Sequence, residues 1–312
     1  MQSSCALPPT SCNWRPVANS SAQTAAQGTG PPSATPLSVR LRALCDVSVC
    51  AQVSPRAHTV LGLVLFALMV AGYVALATVR HADNPDDKVI PTIAQLVEGV
   101  VRSVTLDRNG AIPLLDDTLA SLARFSLGVV ASAVGGVGLG LFMGVFPLVE
   151  ALFLRFLLFF GKIPPLALLP ILFVLFGLGD ETKVLLIFVG IAPGIALDTY
   201  LRTRALPSEQ FVKALTLGAS IPELIVRVVV PQVMPSALNI IRLNLQNAWL
   251  FLIAAETIAA ANGLGYRIFV VRRYMAMDTI IPYVLWIALL AFAIDAALTW
   301  WIRRRYPWYQ GG

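Results

Sequence analysis

Charge is scarce in this sequence. Only 13% of its 312 residues are Asp, Glu, Lys or Arg, where a soluble globular chain carries about a quarter. With 57% hydrophobic residues and a mean hydropathy of +0.75, that deficit excludes an ordinary soluble domain. Catalytic signatures are missing too. There is no G-x-x-x-x-G-K-[ST], so the chain does not hydrolyse ATP itself. Neither H-E-x-x-H nor G-x-S-x-G is present, which argues against a membrane protease or esterase. Gly263-x-Gly265 is a loop pair with no strand on which a dinucleotide fold could rest. No dense Lys/Arg run interleaves with aromatics. The formal charge of +6 therefore points to loops facing anionic lipid, not to nucleic acid. Cysteine is absent beyond residue 50. Cys5, Cys12, Cys45 and Cys50 match no common zinc spacing, and neither His58 nor His81 completes one. They read as free thiols in a cytosolic tail, with a metal site as the lesser alternative, and no metal or other cofactor is expected.

What the chain has in quantity is apolar runs of spanning length. Residues 1–56 are rich in Ser, Thr, Ala, Pro and Gly without periodicity, and read as a disordered tail. A charged start followed by an apolar core, as in a cleaved signal, is not seen there. Translation beginning nearer Val47 or Val53 is an open alternative that N-terminal sequencing decides. Residues 57–117 hold a first span over 59–79, then an acidic stretch in which 93–104 is amphipathic and lies along the interface. A second span covers 118–144, where Gly128, Ser132, Gly136, Gly140 and Gly144 recur every four residues. That ridge of small residues lets a neighbouring helix come close. Residues 148–178 are broken at Ile163-Pro164-Pro165 and again at Pro170. Span four covers 183–201, kinked near Pro193. Span five runs over 232–261, entered at Pro231, and span six over 282–302. Arg303 to Arg305 with Tyr306, Trp308 and Tyr309 read as a basic and aromatic anchor that runs into the tail 307–312. The expected fold is an all-α membrane protein with about six transmembrane helices.

Six spans put both termini on one side. The arginines of the N-terminal tail, Arg202, Arg204, Lys213, Arg227 and Arg303 to Arg305 then share that side, and the acidic stretch 80–117 lies opposite. The positive-inside rule makes the first side cytoplasmic, with Arg267, Arg272 and Arg273 against the trend.

Ionisable groups within spans are costly, on the order of 3 kcal/mol at mid-bilayer, and mark candidate function. They are Arg124, Lys162, Asp198, Arg242, Glu256 and Asp295. Arg124, Lys162 and Arg242 read as a positive lining for an anion route to which Asn247 also belongs, with Glu256 holding one of the arginines when no substrate is present. Structural pairing explains the same residues equally well at Arg242 and Glu256, and better at Arg124 and Asp198. Asn239, Asn244, Gln246 and Asn247 make the first half of span five unusually polar, so one of its faces is buried in protein or wet.

Residues 206–231 are an amphipathic break between apolar runs. Ala214, Leu215, Leu217 and Ile221 lie near one face, Gly218 and Ala219 suit a turn between two short helices, and Pro222 fits a first helical turn. A helix–turn–helix of this kind can enter a partner's groove. Ala214-x3-Gly218, followed by Val228, Val230 and Pro231, resembles the coupling loop of ATP-binding-cassette importer permeases. Val212 and Lys213 stand where that family usually has Glu and Ala. The resemblance extends collinearly through SLARFSLG (121–128), KIPPLALLPILFVLFGLGDETK (162–183), LTLGAS (215–220), VVVPQVMPSALNIIRLNLQNAW (228–249) and AAETIAAANGLGY (254–266). These are similar to the nitrate, sulfonate, taurine and bicarbonate group of such permeases.

The resemblance implies a MetI-like five-helix permease core at 118–306 plus an added N-terminal span, in a bacterial inner membrane. It implies two permease copies, two ATPase subunits and a periplasmic binding protein that delivers a small anion. ATPase docking would fall to Lys213, Ala214, Leu217, Gly218, Ala219, Ile221 and Glu223. The rival reading is a self-contained secondary transporter or channel coupled to ions through Glu256 or Asp295, for which inverted repeats would be the sign.

Overall fold

The computed structural model describes residues 55–83, 89–105 and 112–309. The four cysteines and Asp86, Asp87 and Asp107 lie outside the described residues, as does most of the tail 1–56. The chain divides into a unit up to Leu65 and a unit Phe66–Gly312. Only the opening of α1 (Pro55–Asp83) belongs to the first.

Within the second unit the helices after α1 are α2 (Ile93–Val104), α3 (Pro113–Val145), α4 (Pro147–Phe160), α5 (Leu169–Phe176), α6 (Asp180–Arg204), α7 (Ser208–Thr216), α8 (Ile221–Leu224), α9 (Val230–Ala259), α10 (Leu264–Arg272) and α11 (Met277–Arg305). Among the described residues there is no strand. Among the described residues five helical segments are long and apolar enough to cross a membrane, and a bent pair brings the number to six if it counts as one span.

Local sequence explains most boundaries. Thr92 caps α2, accepting from the Gln95 N–H while the Gln95 side chain accepts from the Thr92 N–H. This reciprocal box fixes the amphipathic helix where the pattern places it. The bent pair is α4 followed, after Pro164, by a single 3-10 turn (Pro165–Leu168) and α5, turning through 85°. The Ile163-Pro164-Pro165 break is therefore real. Pro170, expected to break the chain again, is absorbed in the first turn of α5, where its missing N–H has no partner to lose.

Pro231 is a second correction. It does not open span five. The helix starts at Ile221 and runs to the end of α9, through a π-helical turn at Ile225–Val229. There the Val230 N–H reaches the Ile225 carbonyl. Widening the turn just ahead of Pro231 accommodates a ring that would otherwise crowd the previous turn. Similarly, α6 runs unbroken past Pro193.

The main seam is α3 against α6. A Cβ on Gly128 would lie 2.8 Å from the Ile187 Cβ, and one on Gly136 would lie 2.9 Å from the Ala192 carbonyl oxygen. On Gly140 it would lie 2.5 Å from the Ala196 oxygen, and on Gly144 it would meet Thr203. The ridge thus packs within one chain, backbone close to backbone. Around it, Phe125 stacks on Trp249 at 4.3 Å, and Leu186, Ile187, Leu252 and Leu264 are fully buried. At the far end of α6, the Tyr200 hydroxyl donates to Glu150 of α4 at 2.6 Å.

Candidate functional site: a coupling knob and a buried ionic network

The segment between α6 and α9 is the first candidate. Helix α7 ends in a Schellman arrangement. The Ala219 N–H bonds the Ala214 carbonyl at 3.1 Å and the Gly218 N–H bonds the Leu215 carbonyl at 3.0 Å. Gly218 has φ +85°, the left-handed region that this closure requires. The Glu223 carboxylate then turns back to accept from the Ser220 N–H and hydroxyl at 3.1 and 2.9 Å. It thereby stabilises the start of α8. Gln232 ties the knob to α9, donating to Gln210 at 2.8 Å and to the Val228 carbonyl at 3.0 Å.

On this rigid base Leu217 is 88% exposed, with Val212, Leu215 and Ile221 exposed beside it. Lys213 and Gly218 are exposed, while Ala214 and Ala219 are half-buried. No atom lies within 4 Å of a Cβ built on Gly218, so Gly218→Ala meets strain and no clash. We expect a cost of about 1–2 kcal/mol, seen as faster amide exchange at Gly218 and Ala219 without loss of the fold.

The second candidate lies at the other end of α6 and α9. Glu256 is fully buried. Its Oε1 accepts from Arg124 Nη1 at 2.9 Å and from the Ser121 hydroxyl at 2.8 Å. Its Oε2 accepts from the Gly265 N–H at 2.9 Å. Arg124 also donates to the Asn262 carbonyl at 3.0 Å and to its side-chain oxygen at 2.6 Å. Asp117, likewise buried, accepts from the Gly263 N–H at 3.0 Å and from Arg267 Nε at 2.8 Å. Ser121 accepts from the Leu264 N–H at 2.8 Å.

Three amides at the start of α10 are thus satisfied by side chains of α3 and α9, which also meet the positive end of that helix with negative charge. Gly263, at φ +121°, holds a backbone conformation that L side chains rarely adopt, so a substitution there is strained. A Cβ there would lie 2.6 Å from Glu256 Oε1. Burial works against the Arg267 charge, but the adjacent Asp117 carboxylate outweighs it and raises the guanidinium above its ordinary value.

The four pathway candidates are not brought together. Lys162 is exposed in the turn after α4, and Asn247 is exposed on α9. Arg242 donates to Thr299 at 2.9 Å and lies 3.3 Å from Asp295 Oδ1, both on α11. Glu256 is 14 residues further along α9 than Arg242, about 21 Å at 1.5 Å per residue. The arginine that Glu256 holds is Arg124. Asp117, Ser121, Asn262, Gly263 and Arg267 were not singled out as site residues from the sequence. For Ser121, Asn262 and Gly263 the signal was there, since SLARFSLG, FGLGDETK and AAETIAAANGLGY converge on this network; Asp117 and Arg267 lie outside those segments.

Among the described residues the elements are helical, several are of spanning length, and an exposed apolar turn stands between two of them. The family model described as binding-protein-dependent transport system inner membrane component matches residues 136–307, and the chain belongs to that family. It is the permease component of an ATP-binding-cassette importer, a multi-pass inner-membrane protein, and the ATPase is a separate chain. The taurine transport system permease protein of Escherichia coli is 32% identical over 61% of this chain and 69% of its own length. A probable ABC transporter permease protein of Brucella abortus is 31% identical over 80% of this chain and 96% of its own. The bicarbonate transport system permease protein of Synechococcus elongatus is 28% identical over 64% and 73%. The inward-facing MetNI methionine ABC transporter shares the fold, with a TM-score of 0.51 at 19% identity, covering 67% of this chain and 97% of that one.

Proposed function

We propose that this permease imports a small anion of the sulfonate, taurine, nitrate or bicarbonate kind, or an aromatic carboxylate. A periplasmic binding protein delivers the anion, and two permease copies work with two ATPase subunits. Residues 118–306 form the transporting domain, 57–117 an added span and outer segment, and both termini face the cytoplasm. ATP-driven closure of the ATPase pair pulls on residues 213–223. The pull biases the spans between outward and inward openings, because ATP binds the two states with different affinity.

The observation that carries this reading is the exposure of Leu217 on a turn rigidified by Gly218 and Glu223. With Val212, Leu215 and Ile221 also exposed beside it, Leu217 makes an apolar patch on a capped helix pair, the kind of surface that a partner's groove covers. The names of the relatives support the anion class, and the polar α9 face around Gln246 and Asn247 supports a wet route beside it. Leu217→Asp is the test. We expect it to leave the permease folded, to lower the yield of co-purified ATPase at least about tenfold, and to abolish ATP-dependent uptake in vesicles. Unchanged co-purification and uptake would remove the knob from the coupling role.

A further inference from the structure

Arg124 of the ionic network also faces a second pair of charges, Asp180 and Lys183, that the network does not use. At the start of α6, Lys183 is 2% exposed, and Arg124 beside it is 5% exposed. Both turn to one oxygen, Asp180 Oδ1. The Lys183 Nζ donates to it at 2.8 Å, and the Arg124 Nε lies 2.8 Å away. The Arg124 Nε–H is not aligned on that oxygen and makes no hydrogen bond. Asp180, by contrast, has a side chain 61% exposed to solvent. Two buried cations therefore share one solvent-facing carboxylate. That is the reverse of a structural ion pair, in which burial is shared by both partners.

These groups border a cavity of about 670 Å³ together with Gly179 and residues 260–262. A second cavity of about 720 Å³ shares Arg124, Asp180 and Asn262 with it, and is otherwise mostly apolar, with Ala123, Leu127, Phe176, Leu185 and Phe188 in its wall. Glu181 also borders it.

We infer that Arg124 and Lys183 form a subsite for an organic oxyanion with a short apolar tail, and that Asp180 occupies the head position until such an anion displaces it. The inference rests on the anion-importer reading above and adds a place and a shape to it. An oxyanion head of sulfonate or carboxylate size replaces the Asp180 oxygen. It accepts from the Lys183 ammonium and from the unaligned Arg124 Nε–H, which are the charge-assisted bonds that such a head makes best. Its tail enters the apolar cavity. Asp180 then swings into solvent, where its exposure already places part of it. Occupation by its own carboxylate gives buried Lys183 a partner, and Arg124 a second one beside Glu256, when no solute is present.

The test uses the permease purified with its ATPase in detergent, followed by thermal unfolding against hexanesulfonate, methanesulfonate and hexanol. In Asp180→Asn, hexanesulfonate is expected to raise the unfolding midpoint at about tenfold lower concentration than in the natural chain. Methanesulfonate should act more weakly and hexanol not at all. Adding Lys183→Met should remove the response. Should Asp180→Asn fold poorly, Asp180→Ser serves the same purpose, because it also clears the position between the cations. The same hexanesulfonate dependence with and without the Asp180 carboxylate would overturn the subsite. So would protection by phosphatidylglycerol but by no soluble sulfonate. ATPase co-purification is scored in every variant. Its loss from the natural chain overturns the importer reading, and the sulfonate titration of the lone chain then still decides the subsite.

Discussion

Gly140→Val is expected to remove folded permease from the membrane. On Gly140 a Cβ alone would lie 2.5 Å from the Ala196 carbonyl oxygen and 2.7 Å from the Thr199 Cβ. The nearer obstacle is backbone, so no side-chain rotation relieves it. Valine adds two further methyl groups at the same point. The helices would have to part, and Gly136 and Gly144 would lose their close approach to the same helix. Overpacking of a yielding core costs about 1–3 kcal/mol, and this seam cannot yield locally, so the cost should reach a large share of a total stability of about 5–15 kcal/mol. Gly138→Val is the control. It lies two residues away in the same helix, on nearly the opposite face, and a Cβ there meets nothing within 4 Å. Fluorescence-detected size exclusion of detergent extracts should show a sharp peak for the Gly138 variant and aggregate or no signal for the Gly140 variant. Equal peaks would show that α3 and α6 are not packed as described.

Glu256→Ala is expected to cost about 3–5 kcal/mol, the range for removing one partner of a buried charge pair. Arg124 would lose its buried carboxylate and keep only Asn262 and the exposed Asp180. The Gly265 N–H would lose its acceptor as well. The same deletion weakens the hold of α9 on the start of α10. Replacing both members, Arg124→Leu with Glu256→Leu, should recover much of the loss, since an apolar pair leaves no stranded charge. Thermal unfolding of the two single variants and the double variant in detergent measures the coupling. A double variant no better than the worse single one would mean that the amides of α10, not the arginine, are what Glu256 chiefly serves.

Much of the architecture was legible from local pattern. The α2 helix falls on 93–104 because its amphipathic period and the Thr92–Gln95 box coincide. The knob was legible because Gly218 follows an apolar helical face and Pro222 sits where a helix can begin. The glycine ridge was legible as a close-packing face. Its partner, α6, was not, because a four-residue spacing says how near a neighbour can come and nothing about which neighbour it is.

Two prolines misled for one physical reason. A proline is a break only where its missing N–H and its ring cannot be accommodated. Pro170 lies in a first turn, and Pro231 follows a widened one. Arg124 was weighed as a span-end residue of structural use, which its bonds to Glu256 and Asn262 make concrete. Asp117 escaped because its partners, Gly263 and Arg267, lie about 150 residues along the chain.

Composition and periodicity by themselves determined that this chain crosses a membrane many times, contains no motor, and presents a small knob between two spans. Those are properties of turns and of single helices, written within a few residues of one another. Tertiary structure alone decided that Glu256 serves Arg124 instead of Arg242. It alone decided that the start of α10 is clasped by carboxylates from two other helices, and that two buried cations meet a single exposed Asp180. Charges pair by distance in space, and that distance exists only once α3, α6 and α9 have closed on one another.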